Sequence, residues 1–303
     1  MKAIASYIMR GPFQATTVVS VTAILSLILP FLVYVSGAAL ALITLRQGLN
    51  AGLIILASSS VVYGAFIYLF TALGQVHVAV FGFAALLGII WILAGVLRYT
   101  RSLAHSLLVA GGFGFLFVLI IYALTDPAAM WQQATTQFFA PVLEQADEQS
   151  RTALEAQIAE ASKYLTGLFA AGIILNCAVC LFLGRWWQAL LYNPGGFQQE
   201  FHSLRLSRAF AIVTAVIGGV SFLPAGIIGT LAAEFFSITL ILFFLQALAV
   251  THAIVNMKKM SVGWLVGLYI LSPILLKLIG VVGFIDTWAN FREKVRRSVG
   301  KSG

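Results

Sequence analysis

Apolar residues run through this chain in long stretches, not in the alternation of a strand or the one-sided stripe of a soluble helix. A helix needs about 20 apolar residues to cross the hydrocarbon core of a bilayer. Eight stretches approach that length: 14–45, 50–72, 76–97, 103–124, 164–184, 209–228, 231–255 and 262–285. The pattern predicts an all-α polytopic transmembrane helical bundle, one integral membrane domain over residues 1–303. The first and last stretches contain Pro30, in "LILPFLVY", and Pro273, in "ILSPILL". Proline removes a helical hydrogen bond. Both stretches are therefore expected to break, giving eight to ten membrane-entering helices.

Three polar regions punctuate the apolar ones. Residues 125–163 carry Asp126, Glu144, Asp147, Glu148, Glu155 and Glu160 against only Arg151 and Lys163. That balance predicts an extracytoplasmic amphipathic helical loop. In "DPAAMW", Asp126 is placed to cap a helix that Pro127 opens. Pro141 is expected to break that helix. A second, from about 146, is expected to run into the fifth apolar stretch.

Residues 185–208 read as a cytoplasmic interfacial elbow. Arg185 is expected to end the fifth span, with Trp186 and Trp187 at the headgroup boundary. Asn193, Pro194, Gly195 and Gly196 supply a turn. Leu190, Leu191, Phe197, Phe201 and Leu204 can then lie in the interface, with Gln198, Gln199, Glu200 and Arg205 toward water. Trp186, Trp187, Asn193, Gly195, Gly196, Phe197, Phe201, His202 and Arg205 are the candidate contacts with a cytoplasmic or membrane protein partner. Residues 288–303 form a basic cytoplasmic tail, with Arg292, Lys294, Arg296, Arg297 and Lys301.

Composition agrees with a membrane setting. Of 303 residues, 61% are hydrophobic and 9% charged, where soluble domains carry about 25% charged residues. The net charge of +8 could signal nucleic acid, but no basic stripe with interleaved aromatics lies outside the apolar stretches. Fifteen of the 18 Lys and Arg instead fall where they can share one side if both proline-broken stretches return to it. This is the cytoplasmic bias of membrane proteins. It places both termini in the cytoplasm of a bacterium, with lipid as the surrounding partner.

Polar groups at membrane depth are candidates for function. Lys277 and Glu234 fall at comparable depths, where the two can pair or Lys277 can snorkel to the surface. Proline-broken helices free backbone groups that transporters use for binding, which adds Pro30 with Ser36 and Pro273 with Ser272. Together these six form the candidate small-molecule site. His77, His105, His202 and His252 fall in separate segments, and Cys177 and Cys180 lie in an apolar run, so no metal site, cofactor or catalytic set is expected. Asn176 reads as an interhelical hydrogen bonder.

"GRWWQALLYNPGGFQQEFHSLRLSR", "LPFLVYVSGAALALITLRQG" and "GFIDTWANFREK" resemble the YybS-like family of bacterial membrane proteins, a domain of unknown function, over essentially the whole chain. That family is distantly similar to the substrate-binding subunits of energy-coupling-factor transporters. The resemblance implies a helical bundle that holds a small molecule and docks on a partner. The alternative is a non-catalytic scaffold that recruits cytoplasmic proteins through the elbow.

Overall fold

A computed structural model describes residues 1–70, 76–224 and 226–299. Residues 71 and 72 of the second expected stretch, Ala225 of the sixth and the end of the tail with Lys301 lie outside the described residues. Fourteen helices, and no strand, occur among the described residues: α1 (Lys2–Ile8), α2 (Pro12–Leu25), α3 (Leu32–Gln47), α4 (Leu49–Phe70), α5 (Val76–Thr100), α6 (Leu103–Leu124), α7 (Pro127–Gln145), α8 (Glu148–Ser162), α9 (Leu165–Tyr192), α10 (Gly196–Ser203), α11 (Arg208–Ser221), α12 (Ile227–Met257), α13 (Gly263–Ala289) and α14 (Phe291–Val299).

Among the described residues six helices are long and apolar enough to cross a membrane: α4, α5, α6, α9, α12 and α13. A seventh span arises if α10 and α11, bent by 51°, count as one. The chain is a multi-pass membrane protein. The expected count of eight is not reached, because the first stretch divides into two shorter apolar helices, α2 and α3. Pro30 lies exposed between them.

The chain packs as two units, Met1–Ala110 with Leu175–Leu204, and Gly111–Ile174 with the residues from Arg205 onward. In the first, α3 is the centre. Every residue from Ser36 to Leu45 is buried, as a helix that is apolar on all sides must be. Its small residues permit close packing. A Cβ on Gly37 would meet Cys180 Sγ and Ile90 Cδ1, and one on Gly184 would meet the Ala38 carbonyl. Ser36 Oγ donates to the Val19 carbonyl at 2.9 Å, joining α3 to α2. Arg98 and Gln188 donate to the Leu45 carbonyl at 2.6 and 3.4 Å. They satisfy a group that the helix end leaves without an intrahelical partner.

The second unit is built around α12, buried at every residue from Ile238 to Val250. Phe210 of α11 stacks on Phe243 at 5.6 Å, and Phe284 of α13 meets the same ring edge-on at 5.3 Å. In the most apolar window of α12 83% of the residues are buried, against 11% for α13. The outward apolar face of α13 suits lipid.

Four boundaries differ from expectation. The expected break at Pro273 is absent, and α13 passes through it. Pro273 cannot donate to the Tyr269 carbonyl, four residues back. Ser272 Oγ donates there instead, at 3.0 Å, and to the Leu268 carbonyl at 2.9 Å. Likewise α7 continues through Pro141, which is exposed, so water can reach the freed carbonyl. The fifth span does not end at Arg185, because α9 runs on to Tyr192. At its other end, Lys163 and Tyr164 separate α8 from α9.

Candidate functional site

Glu234 lies fully buried in α12. Its carboxylate accepts from the Gly167 backbone N–H and from the Tyr122 hydroxyl at 3.3 Å. Gly167 stands in the first turn of α9, where backbone N–H groups have no intrahelical acceptor. Glu234 therefore caps α9 from another helix, with its carboxyl oxygens at the positive end of the helix dipole. A Cβ at Gly167 would strike the Glu234 backbone, so glycine makes the approach possible. Beside it, the Trp131 indole donates to Thr166 Oγ1 at 3.0 Å, and the Thr135 and Ser162 hydroxyls meet at 3.5 Å. These contacts tie α7 to the starts of α9 and the end of α8.

A second cluster surrounds Asp286, also fully buried. Its carboxylate accepts from the Phe291 N–H at 2.9 Å, the Arg292 guanidinium at 3.0 Å and the Gln246 amide at 3.2 Å. Buried Gln246 also donates to the Gly283 carbonyl at 2.9 Å and accepts from the Leu206 N–H at 2.7 Å. Arg205 donates to the Thr287 carbonyl at 2.7 Å. One connected set thus joins the residues entering α11, the middle of α12, the end of α13 and the start of α14. Burial pushes the Arg292 guanidinium below its ordinary value, and the Asp286 charge opposes that shift. A carboxylate with this many donors is saturated. It is suited to holding segments together, and a buried pair of this kind penalises loss of either member.

With Arg292 turned inward, Lys294, Arg296 and Arg297 remain exposed on α14. Glu293 pairs with Arg296 at 2.5 Å and Arg297 at 3.1 Å. The result is a short helix pinned at one end and basic on its open side.

The elbow belongs mostly to the first unit. Gly195 takes a left-handed φ of 86°, and the Gly196 N–H donates to the Asn193 carbonyl at 3.0 Å, closing the turn into α10. Arg185 grips Glu200 through two hydrogen bonds, at 2.9 and 2.5 Å, a fork that suits guanidinium and carboxylate. Phe182, Phe197 and Phe201 pack together within 6.1 Å between ring centres. Arg46 lies over the Tyr192 ring at 4.2 Å.

The structure redistributes the expected site residues. Lys277 is exposed on α13 and does not pair with Glu234, whose partners are Gly167 and Tyr122. Ser36 and Ser272 spend their hydroxyls on backbone carbonyls. In the elbow, Trp186, Asn193 and Gly195 are exposed and Phe197, Phe201 and His202 half-buried, but Trp187, Gly196 and Leu204 are buried. Trp187 is thus a packing residue and not a headgroup anchor. Glu200 and Arg205, expected to face water, are engaged by Arg185 and Thr287. Asn176 accepts from Cys180 of its own helix at 3.7 Å. Among the described residues no three His, Cys, Asp or Glu side chains gather as metal ligands.

Sequence reasoning missed Asp286, Gln246 and Thr287. Asp286 sits between apolar "GFI" and the basic tail, where an acid reads as a headgroup residue. An acid followed six residues later by Arg292 was the available signal. Compared with protein-family models, curated proteins and solved structures, the chain matches none.

Proposed function

We propose that this protein is a membrane-embedded scaffold that recruits a cytoplasmic protein with an acidic surface through its tail helix α14. The observation that carries this reading is the buried Asp286–Arg292 pair, which holds α14 against membrane helices while its basic side stays open. An orientation signal needs charge alone; it needs no buried acid to fix the helix. The reading puts the protein in a bacterial cytoplasmic membrane, with elbow and tail in the cytoplasm. The bond from Arg205 to the Thr287 carbonyl supports one common side for the end of the elbow and the start of the tail.

A photocrosslinker at Ser298, exposed on α14, tests the proposal in living cells. One cytoplasmic protein should be captured, and replacing Lys294, Arg296 and Arg297 together by Gln should remove it. Those side chains are exposed, so the fold should survive. Crosslinks to lipid alone would overturn the scaffold.

A second reading, a small-molecule binding subunit acting with a partner, is favoured by buried Glu234 and the donors Gly167 and Tyr122 around it. It predicts a co-purifying non-lipid ligand that Glu234→Gln releases.

A further inference from the structure

A cleft of about 580 Å³ opens between the end of α12 and the start of α13, within the roughly 300–1,000 Å³ range of ligand-sized sites. Thr251 and Val255 line one side, and Trp264, Gly267 and Leu271 the other, with Met260 and Ser261 at the connecting turn. A Cβ at Gly267 would meet nothing within 4 Å, so the missing side chain leaves groove and not contact. Trp264, Ile270 and Leu271 stand exposed beside it. Its walls are apolar, and the segment from Thr251 to Leu271 contains no acid.

The turn that joins its two walls carries two lysines and is unusually built. Lys258 and Lys259 lie in the chain between the lining residues Val255 and Met260, and both are exposed. The turn closes as a paired helix end: the Lys259 N–H donates to the Asn256 carbonyl at 3.2 Å, and the Met260 N–H to the Val255 carbonyl at 2.9 Å. In this motif the residue at the position of Lys259 is left-handed and usually glycine. Lys259 adopts φ 50°, a conformation that opposes a side chain. A lysine standing where glycine fits better points to a use for its charge.

We infer that this cleft binds one anionic phospholipid, with an acyl chain along Gly267 and the phosphate at Lys258 and Lys259. An apolar groove, two cations, no local acid and a tryptophan at the mouth match that molecule and no zwitterion in particular.

The test uses the full chain in mild detergent, with phosphatidylglycerol or phosphatidylcholine added and retention read by native mass spectrometry. Wild type should keep one phosphatidylglycerol per chain in preference to phosphatidylcholine. Replacing both lysines by Gln should cut the preference roughly 30-fold, the effect of two charges at an anionic headgroup. Gly267→Leu should fill the groove and lose the lipid. Lys259→Gly should weaken phosphatidylglycerol binding while the lipid-free melting temperature holds or rises, which separates lost binding from lost folding. Equal retention of the two lipids by wild type, retention by Gly267→Leu, or a protein that competes with lipid for this hairpin would overturn the inference.

Discussion

Asp286 shows what one buried acid can organise. It and Arg292 are 0% and 14% exposed at the side chain, so removing the negative charge strands a cation with little water to receive it. Asp286→Asn should cost about 3–5 kcal/mol, seen as a lower melting temperature in detergent and faster tryptic cleavage within α14. Adding Arg292→Gln should recover part of that loss. Glycine positions offer a second residue-level test. A Cβ at Gly283 would run into the backbone of Phe243 and Ala247, whereas one at Gly112 meets nothing within 4 Å. Gly283→Ala should destabilise by about 1–3 kcal/mol. Gly112→Ala should be neutral or stabilising by up to about 1 kcal/mol; thermal unfolding of the two variants side by side decides. At this scale the sequence was legible where the interaction is local. Asp126 caps α7 by accepting from the Ala129 N–H at 3.2 Å, and the Asn193–Gly196 turn closes as its residue types require. Glu234 stood out as an acid among apolar residues, but its partner is a backbone N–H of another helix, a group that side-chain identity does not reveal. Gln246 and Asp286 are forty residues apart, and no periodicity links them.

Helices follow hydrophobic runs closely, and the departures come from groups that repair a break. The cores of α4, α5, α6, α9, α12 and α13 fall where apolar length places them. Pro273 misled because Ser272 supplies the hydrogen bond that proline cannot. Ser272→Ala should therefore lower the melting temperature, since an unpaired carbonyl among apolar neighbours is costly. Ser272→Ala with Pro273→Ala should restore it, because a regained N–H then serves Tyr269. Failure of the double variant to recover would remove this explanation of the continuous helix. The loop helix α8 responds to acid instead. The Ser150 N–H, donating at 2.8 Å, holds the Asp147 carboxyl below its ordinary value of 3.8. A depressed carboxyl contributes stability above its ordinary value and loses it as pH falls through the lowered one. Hydrogen-exchange protection factors of residues 148–162 should drop across that window in wild type and stay flat in Asp147→Ala.

For the molecule as a whole, two units each enclose one helix that is buried along much of its length, α3 in one and α12 in the other. Composition alone predicted the membrane setting; which helices would be central was less visible, because α12 and α13 are both strongly apolar yet differ widely in burial. Small residues decide part of that difference. In α3 the run from Gly37 to Ala41 admits neighbours on every side, whereas α13 packs through Gly280 and Gly283 and leaves its other faces outward. The charged groups follow the same division. Those inside are matched, Glu234 by an α9 terminus and Asp286 by Arg292, while the α14 cations Lys294, Arg296 and Arg297 stay exposed, the last two sharing the single acid Glu293. The central claim is that these open cations recruit a protein. Native mass spectrometry of the chain extracted in mild detergent tests it most directly. A stoichiometric protein partner, kept in Lys277→Ala and lost when Lys294, Arg296 and Arg297 become Gln, is the predicted result. A non-lipid small molecule released by Glu234→Gln, with no protein partner bound, would contradict it.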